Sequence, residues 1–193
     1  MRLRGIASVV ARRSRKSAAQ IELTEAMAMH ERNDRLAAAD KGWLSMLRRY
    51  LIFVAVGNVM WETLQLPLYT IWVEGTPGKI AFAVAHCTAG DMLIALACLA
   101  VALVAAGDKS WPAKRFWTVA VLTVATGVAY TVFSEWLNLV VRKSWAYSSL
   151  MPVVPILGIG LSPLMQWTLI PSAGLLWARR TTLHARDHLV GHE

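Results

Sequence analysis

Residues 51–73 read LIFVAVGNVMWETLQLPLYTIWV, an apolar run long enough to cross a bilayer as a helix at about 1.5 Å rise per residue. It carries a carboxylate, Glu62, close to its midpoint. A charge at that depth costs roughly 2.5–3.5 kcal/mol even on insertion scales, so Glu62 is expected to be protonated, paired or turned to a wet cavity. Asn58, Glu62, Gln65 and Tyr69 recur at intervals of four, three and four, which stacks their polar groups on one helical face and leaves the aliphatic side chains for lipid.

Composition places the rest of the chain around this stretch. It is 56% hydrophobic and 17% charged, with the charges gathered at the two ends and in short connections, the pattern of a polytopic membrane protein. The net charge of +8 flanks apolar runs and forms no aromatic-interleaved basic patch, so it reports topology and no nucleic-acid partner is expected. Candidate spans lie at about 51–73, 80–106, 116–140 and 156–177. The expected fold is therefore all-α, a four-transmembrane-helix bundle over residues 46–180 with a basic N-terminal extension (1–45) and a short tail (181–193).

Residues 1–16 hold arginines and a lysine but no acid, and read as a basic cytoplasmic leader. An organelle presequence, or a start at Met27, Met29 or Met46, are the alternatives. Residues 17–40 mix acids with alanine and suit an exposed helix. With the amino terminus inside, nine Lys or Arg near span ends (41, 48, 49, 109, 114, 115, 179, 180 and 186) lie inside against three outside (79, 142 and 143). Both termini are expected in the cytoplasm, and the expected location is a bacterial inner membrane. The two cysteines, Cys87 and Cys98, are about 16 Å apart on one helix and cannot pair with each other. His184, His188 and His192 read as a solvated tail. No complete metal or nucleotide fingerprint is present, so neither a metal nor a cofactor is expected.

Counted from one membrane face, Glu62 and Asp91 lie eleven residues in and Gln166 about ten, which puts them at similar depth. Glu135 lies about a turn nearer that face, with Tyr130, Ser134 and Asn138 expected on its side of the helix, and His86 lies near the same face. Hydrogen bonding between helices is the plain explanation for Asn58, Gln65, Asn138 and Ser162 taken singly. Three carboxylates with no lysine or arginine in the spans to pair with them fit it poorly, because such bonds average only about 0.6 kcal/mol. Acids brought together in a dry pocket cannot all ionise, which leaves a carboxylic acid able to donate a proton. Trp61, Trp136 and Trp167 lie deeper than interfacial anchors, and with Tyr69, Trp72 and Tyr130 offer ring faces to a cation.

Two resemblances point the same way. Trp61-Glu62-Thr63 with Pro67-Leu68 and Trp72 resembles the glutamate-threonine helix of the emopamil-binding sterol isomerase family. Met165-Gln166-Trp167 with Pro171 is similar to that family's last helix, and His86 with Asp91 to its histidine and acid pair. Helix order, the His86-to-Asp91 spacing and Gln166 in place of asparagine depart from that pattern. Ser134-Glu135 through Trp145-Ala146-Tyr147 and the turn at 160–163 is similar to a stretch of polytopic carotenoid hydratases, with Asn138 where a glycine is expected. Both families imply protonation or hydration of isoprenoid double bonds by membrane-embedded polar groups.

The leading expectation is an intramembrane isomerase, hydratase or cyclase acting on an isoprenoid or other lipidic substrate. Its catalytic groups are Glu62, Asp91 and Glu135, and Asn58, Trp61, Gln65, Tyr69, His86, Tyr130, Asn138, Gln166 and Trp167 line the substrate site. Membrane lipids are the expected surroundings and a homo-oligomer is an allowed assembly. The alternatives are a proton- or metal-coupled carrier using Glu62, His86, Cys87 and Asp91, and a non-catalytic assembly or ligand-binding subunit packed through small residues such as Ala100 and Gly127.

Overall fold

The computed structural model describes the backbone of residues 3–106 and 111–190, and the side chains of 20, 22–33, 42–106 and 111–181. The side chains of the basic leader, Lys41, Lys109, Arg186 and the tail histidines lie outside the described residues. The chain falls into two units, Met1–Gly42 and Trp43–Glu193. The second holds all of the polar residues discussed below.

Helix α1 runs Leu3–Gln65, so the stretch at 17–40 is helical, as part of this longer element. Pro67 ends it. With no N–H to give, it sits in a 3-10 turn, Leu66–Leu68, after which Tyr69 is extended (φ −119°, ψ 149°). The first span is therefore Gly42–Leu68, and residues 69–73, expected to continue it, turn away through a short helix α2 (Ile71–Glu74). Helix α3 (Pro77–Ala106) opens with proline in its first turn, where the missing N–H costs nothing. Helix α4 (Phe116–Trp136) widens at its end into a π turn, Leu137–Val141.

A loop over 142–160 follows. It folds into a two-stranded hairpin, β1 (Val153–Val154) with β2 (Ile159–Gly160), turned by Gly158 at φ +66°. Helix α5 (Leu161–Val190) closes the chain and carries Pro171 in its interior.

Three helices are long and apolar enough to cross a membrane: Gly42–Leu68, Pro77–Ala106 and Phe116–Val141. Their outward surfaces expose Leu64, Leu93, Val104, Trp117 and Val121, as lipid-facing helices do. This makes the chain an integral, all-helical membrane protein. Helix α5, where the fourth span was expected, is not among the three, because Ser162, Pro163, Gln166, Pro171 and Ser172 dilute its apolar character.

Helices α1, α3, α4 and α5 pack together. Near Arg48, Arg115 and Arg179, here called the basic end, the interior is mostly apolar: Met46, Tyr50, Val54, Leu99, Ala102, Val119, Leu175 and Ala178 are all buried, and the Tyr50 hydroxyl among them makes no hydrogen bond with the described residues. Glycine lets two of these helices touch closely. A Cβ on Gly57 would meet Ile170 at 3.1 Å, and one on Gly174 would meet Phe53 at 3.1 Å and Tyr50 at 3.2 Å. The Arg179 guanidinium lies over the Phe116 ring, 4.4 Å from its centroid.

At the opposite end, the loop end, the 142–160 loop is strapped to the break after α1. The Thr70 N–H donates to the Ala146 carbonyl (3.0 Å) and the Ser148 N–H to the Leu68 carbonyl (2.9 Å). The Ser148 hydroxyl donates to the Pro67 carbonyl (2.8 Å), and Tyr69 and Tyr147 form an isolated antiparallel bridge. The carbonyls that Pro67 and its neighbours leave without helical partners are thereby satisfied.

Candidate functional site: a carboxylate and amide cluster between helices

The loop half of the bundle is organised by one amide. Gln166 Nε2, on α5, lies 2.9 Å from Glu62 Oε1 and 3.0 Å from Asn58 Oδ1, both on α1, and 3.0 Å from Asp91 Oδ2 on α3. Gln65, one turn beyond Glu62, donates to the same Glu62 oxygen (2.9 Å) and weakly to Gln166 Oε1 (3.4 Å). Its own carbonyl accepts from the Ser162 hydroxyl (2.8 Å), which in turn accepts the Trp61 indole N–H (3.1 Å). Asn58, Gln65, Asp91 and Gln166 are all buried. The Glu62 and Asp91 carboxyl groups are within hydrogen-bonding reach of each other. Spacings of four and three on α1, and of four between Ser162 and Gln166 on α5, bring these groups to one level.

Trp167 follows Gln166 into the interior, where it lies against Asp91. Its ring covers Gly127 of α4 so closely that a Cβ there would sit 2.5 Å from Cε3. Glu135, two turns beyond Gly127, is also buried. It accepts a hydrogen bond from the Tyr147 hydroxyl, and the Tyr147 oxygen accepts the Gly160 N–H (2.8 Å). The buried Trp145 indole nitrogen lies near Glu135 but outside hydrogen-bonding geometry. Glu135 and Glu62 are near enough to interact electrostatically, and Tyr69 and Cys87 lie within the field of both. Burial and the Glu135 hydrogen bond push the Tyr147 phenol above its usual range, so it keeps its proton at neutral pH.

Three expected members lie elsewhere. Tyr130 is exposed and packs on Phe133, because five residues place it about 140° round the helix from Glu135, whose face carries Thr131, Gly127 and Thr123. His86, five residues before Asp91, is likewise turned out and stacks on Phe82 at 5.5 Å. Asn138 bonds back to the Ser134 carbonyl at 2.9 Å, a local link within the α4 end. Tyr69 reaches the cluster, though from extended backbone and not from the α1 face.

The sequence reading did not single out Tyr147 as a site residue, since its place depends on backbone pairing between the loop and residues 67–70. An apolar groove of about 860 Å³ lies between α1, α2 and α3, lined by Val59, Thr63, Leu66, Trp72, Ile80 and Val84 among others and by none of the cluster's polar residues. Among the described residues, no three His, Cys, Asp or Glu are arranged to hold a metal ion. Comparison with protein-family models, with curated proteins and with solved structures finds no match for this chain.

Proposed function

We propose that this protein is an intramembrane acid–base enzyme, an isomerase, hydratase or cyclase acting on an isoprenoid or similar lipidic substrate. In this reading α5 is the fourth crossing and the basic end faces the cytoplasm. The observation that carries the proposal is the Gln166 amide. It presents two hydrogens to three acceptors, Asn58, Glu62 and Asp91, two of which are acids in contact with each other. A proton shared between Glu62 and Asp91 supplies the missing donor, and no lysine or arginine occurs in residues 50–68, 80–106, 116–141 or 161–178 to neutralise the pair instead.

Such a pair does acid–base work with one member protonated and the other not. The protonated acid adds its proton to a double bond, Trp61 and Trp167 offer ring faces to the cation, and the partner carboxylate removes a proton or orients water. The groove between α1 and α3 falls within the roughly 300–1,000 Å³ of small-molecule sites and has the apolar lining a hydrocarbon chain requires, and its α1 residues Val59 and Thr63 are next in sequence to Asn58 and Glu62. The short motifs around Glu62 and Glu135 that resemble isoprenoid-processing families agree with this chemistry.

Native mass spectrometry with lipid extraction tests it on gently purified protein. An isoprenoid or sterol-like molecule should accompany the wild type and be lost or chemically altered in Glu62→Gln and Asp91→Asn. No lipid in any of the three, with a metal ion or a protein partner that depends on Glu62, would replace the enzyme by a carrier or an assembly subunit.

A further inference from the structure

Pro171 divides α5 into two halves. It has no N–H to give the Trp167 carbonyl four residues back, so the helix is weakest between them. On one side Leu175 and Ala178 are packed into the core of the basic end. On the other, Ser162 and Gln166 belong to the polar cluster, and with a proline between the halves the packing of the first does not by itself fix the second. That placement matters, because Gln166 Nε2 meets Glu62 at 2.9 Å and Asp91 at 3.0 Å. Such bonds are gone by about 3.6 Å, a displacement smaller than half the roughly 1.5 Å rise of one helical residue.

The polar half is tied down at its start. The Leu161 N–H donates to the Pro152 carbonyl (2.7 Å) and the Gly160 N–H to the Tyr147 hydroxyl oxygen (2.8 Å), two of the N–H groups that a helix start leaves without helical partners. Tyr147 links that start to the other helices. Its hydroxyl donates to Glu135 on α4, and its neighbours Ala146 and Ser148 pair with Thr70 and Leu68 beyond the end of α1. The fit is close. A Cβ on Gly160 would meet Met151 Sδ at 2.8 Å and the Tyr147 ring at 3.0 Å, and the ring's other contact is the edge of Tyr69, with centroids 5.5 Å apart. Two residues beyond Gly160, the Ser162 hydroxyl donates to Gln65 (2.8 Å), whose amide donates to Glu62 (2.9 Å).

We propose that Tyr147 is a positioning residue for the Glu62–Asp91 pair: by holding Glu135 and Gly160 at once, its hydroxyl fixes the start of α5 and with it the Gln166 amide between the two acids. Tyr147 touches neither acid and acts through α5. This role rests on the reading of Glu62 and Asp91 as a proton-sharing pair and adds to it the residue that sets the pair's donor.

Infrared spectroscopy of the full-length protein in lipid bilayers tests it without knowledge of the substrate. The carbonyl band of the shared acid is assigned by its loss in Glu62→Gln and Asp91→Asn and its persistence in Glu135→Gln. Gln166→Leu removes the donor and calibrates the band shift that complete loss of the amide produces. Tyr147→Phe keeps the ring and removes the hydroxyl; it should shift the band in the same direction, and should shift it no further when combined with Gln166→Leu. Glu135→Gln keeps an oxygen to accept the phenol hydrogen and should leave the band in place. A variant that merely loosened the fold would speed helix amide exchange throughout and add its own shift in the combined protein. An unmoved band in Tyr147→Phe, or a shift that adds in full to that of Gln166→Leu, overturns the positioning role alone. A wild type with no such band overturns the shared proton; the carboxylate stretches removed by Glu62→Gln and Asp91→Asn then report the place of Gln166, with the same two outcomes deciding the role of Tyr147.

Discussion

Between Arg48 and Arg179 the helices meet through Met46, Tyr50, Val54, Leu99, Val119 and Leu175, whereas between Asn58 and Tyr147 they meet through amides, hydroxyls and acids. Lipid tails are as apolar as leucine, so the first set gains little by leaving lipid and is held by close packing, helped by Gly57 and Gly174. The second set gains a specific arrangement, because each acid left without its donor would lie unpaired in hydrocarbon. Stability at the basic end is therefore spread over many contacts, and at the loop end it is concentrated in a few bonds around Gln166.

Substitution at each end separates these two modes. Gln166→Leu preserves volume but withdraws the donor from Asn58, Glu62 and Asp91 together, and should destabilise the bundle by about 3–5 kcal/mol, as when one partner of a buried charged group is removed. Reversible unfolding in bicelles measures it; a change below about 1 kcal/mol would place the stability of the loop end elsewhere. Leu175→Ala at the basic end should cost about 2 kcal/mol, the low end for such truncations, because the transfer part falls away when the alternative to burial is lipid. It should leave the lipid content of the protein unchanged, and loss of that lipid would tie the two ends more closely than their packing implies.

Much of the cluster was legible in the spacing of polar residues along apolar runs. Asn58, Glu62 and Gln65 were found by interval, Asp91 and Gln166 by depth, because a helix in hydrocarbon has few ways to place such groups other than toward its neighbours. Where the interval rule was stretched it failed. Tyr69 was counted on the α1 face, yet Pro67 had already ended the helix, and the residue came to the site by pairing with Tyr147. Tyr130 was placed on the Glu135 face by spacing and His86 by depth, while separations of five from Glu135 and Asp91 turned both away. Tyr147 was out of reach of periodicity altogether. Its position follows from bonds to Leu68 and Thr70 about eighty residues earlier, which no local pattern encodes.

The account stands on Glu62 and Asp91 acting as one unit through a shared proton and a shared amide. The direct measurement is a double-mutant cycle on unfolding free energy with Glu62→Gln, Asp91→Asn and the combined variant. A coupled pair gives an interaction energy of about 0.5–3 kcal/mol, whereas independent groups add to within about 0.3–0.5 kcal/mol. Coupling in the upper range is the expected result. Additivity would mean that the two acids occupy separate environments, and the intramembrane pair would have to be abandoned.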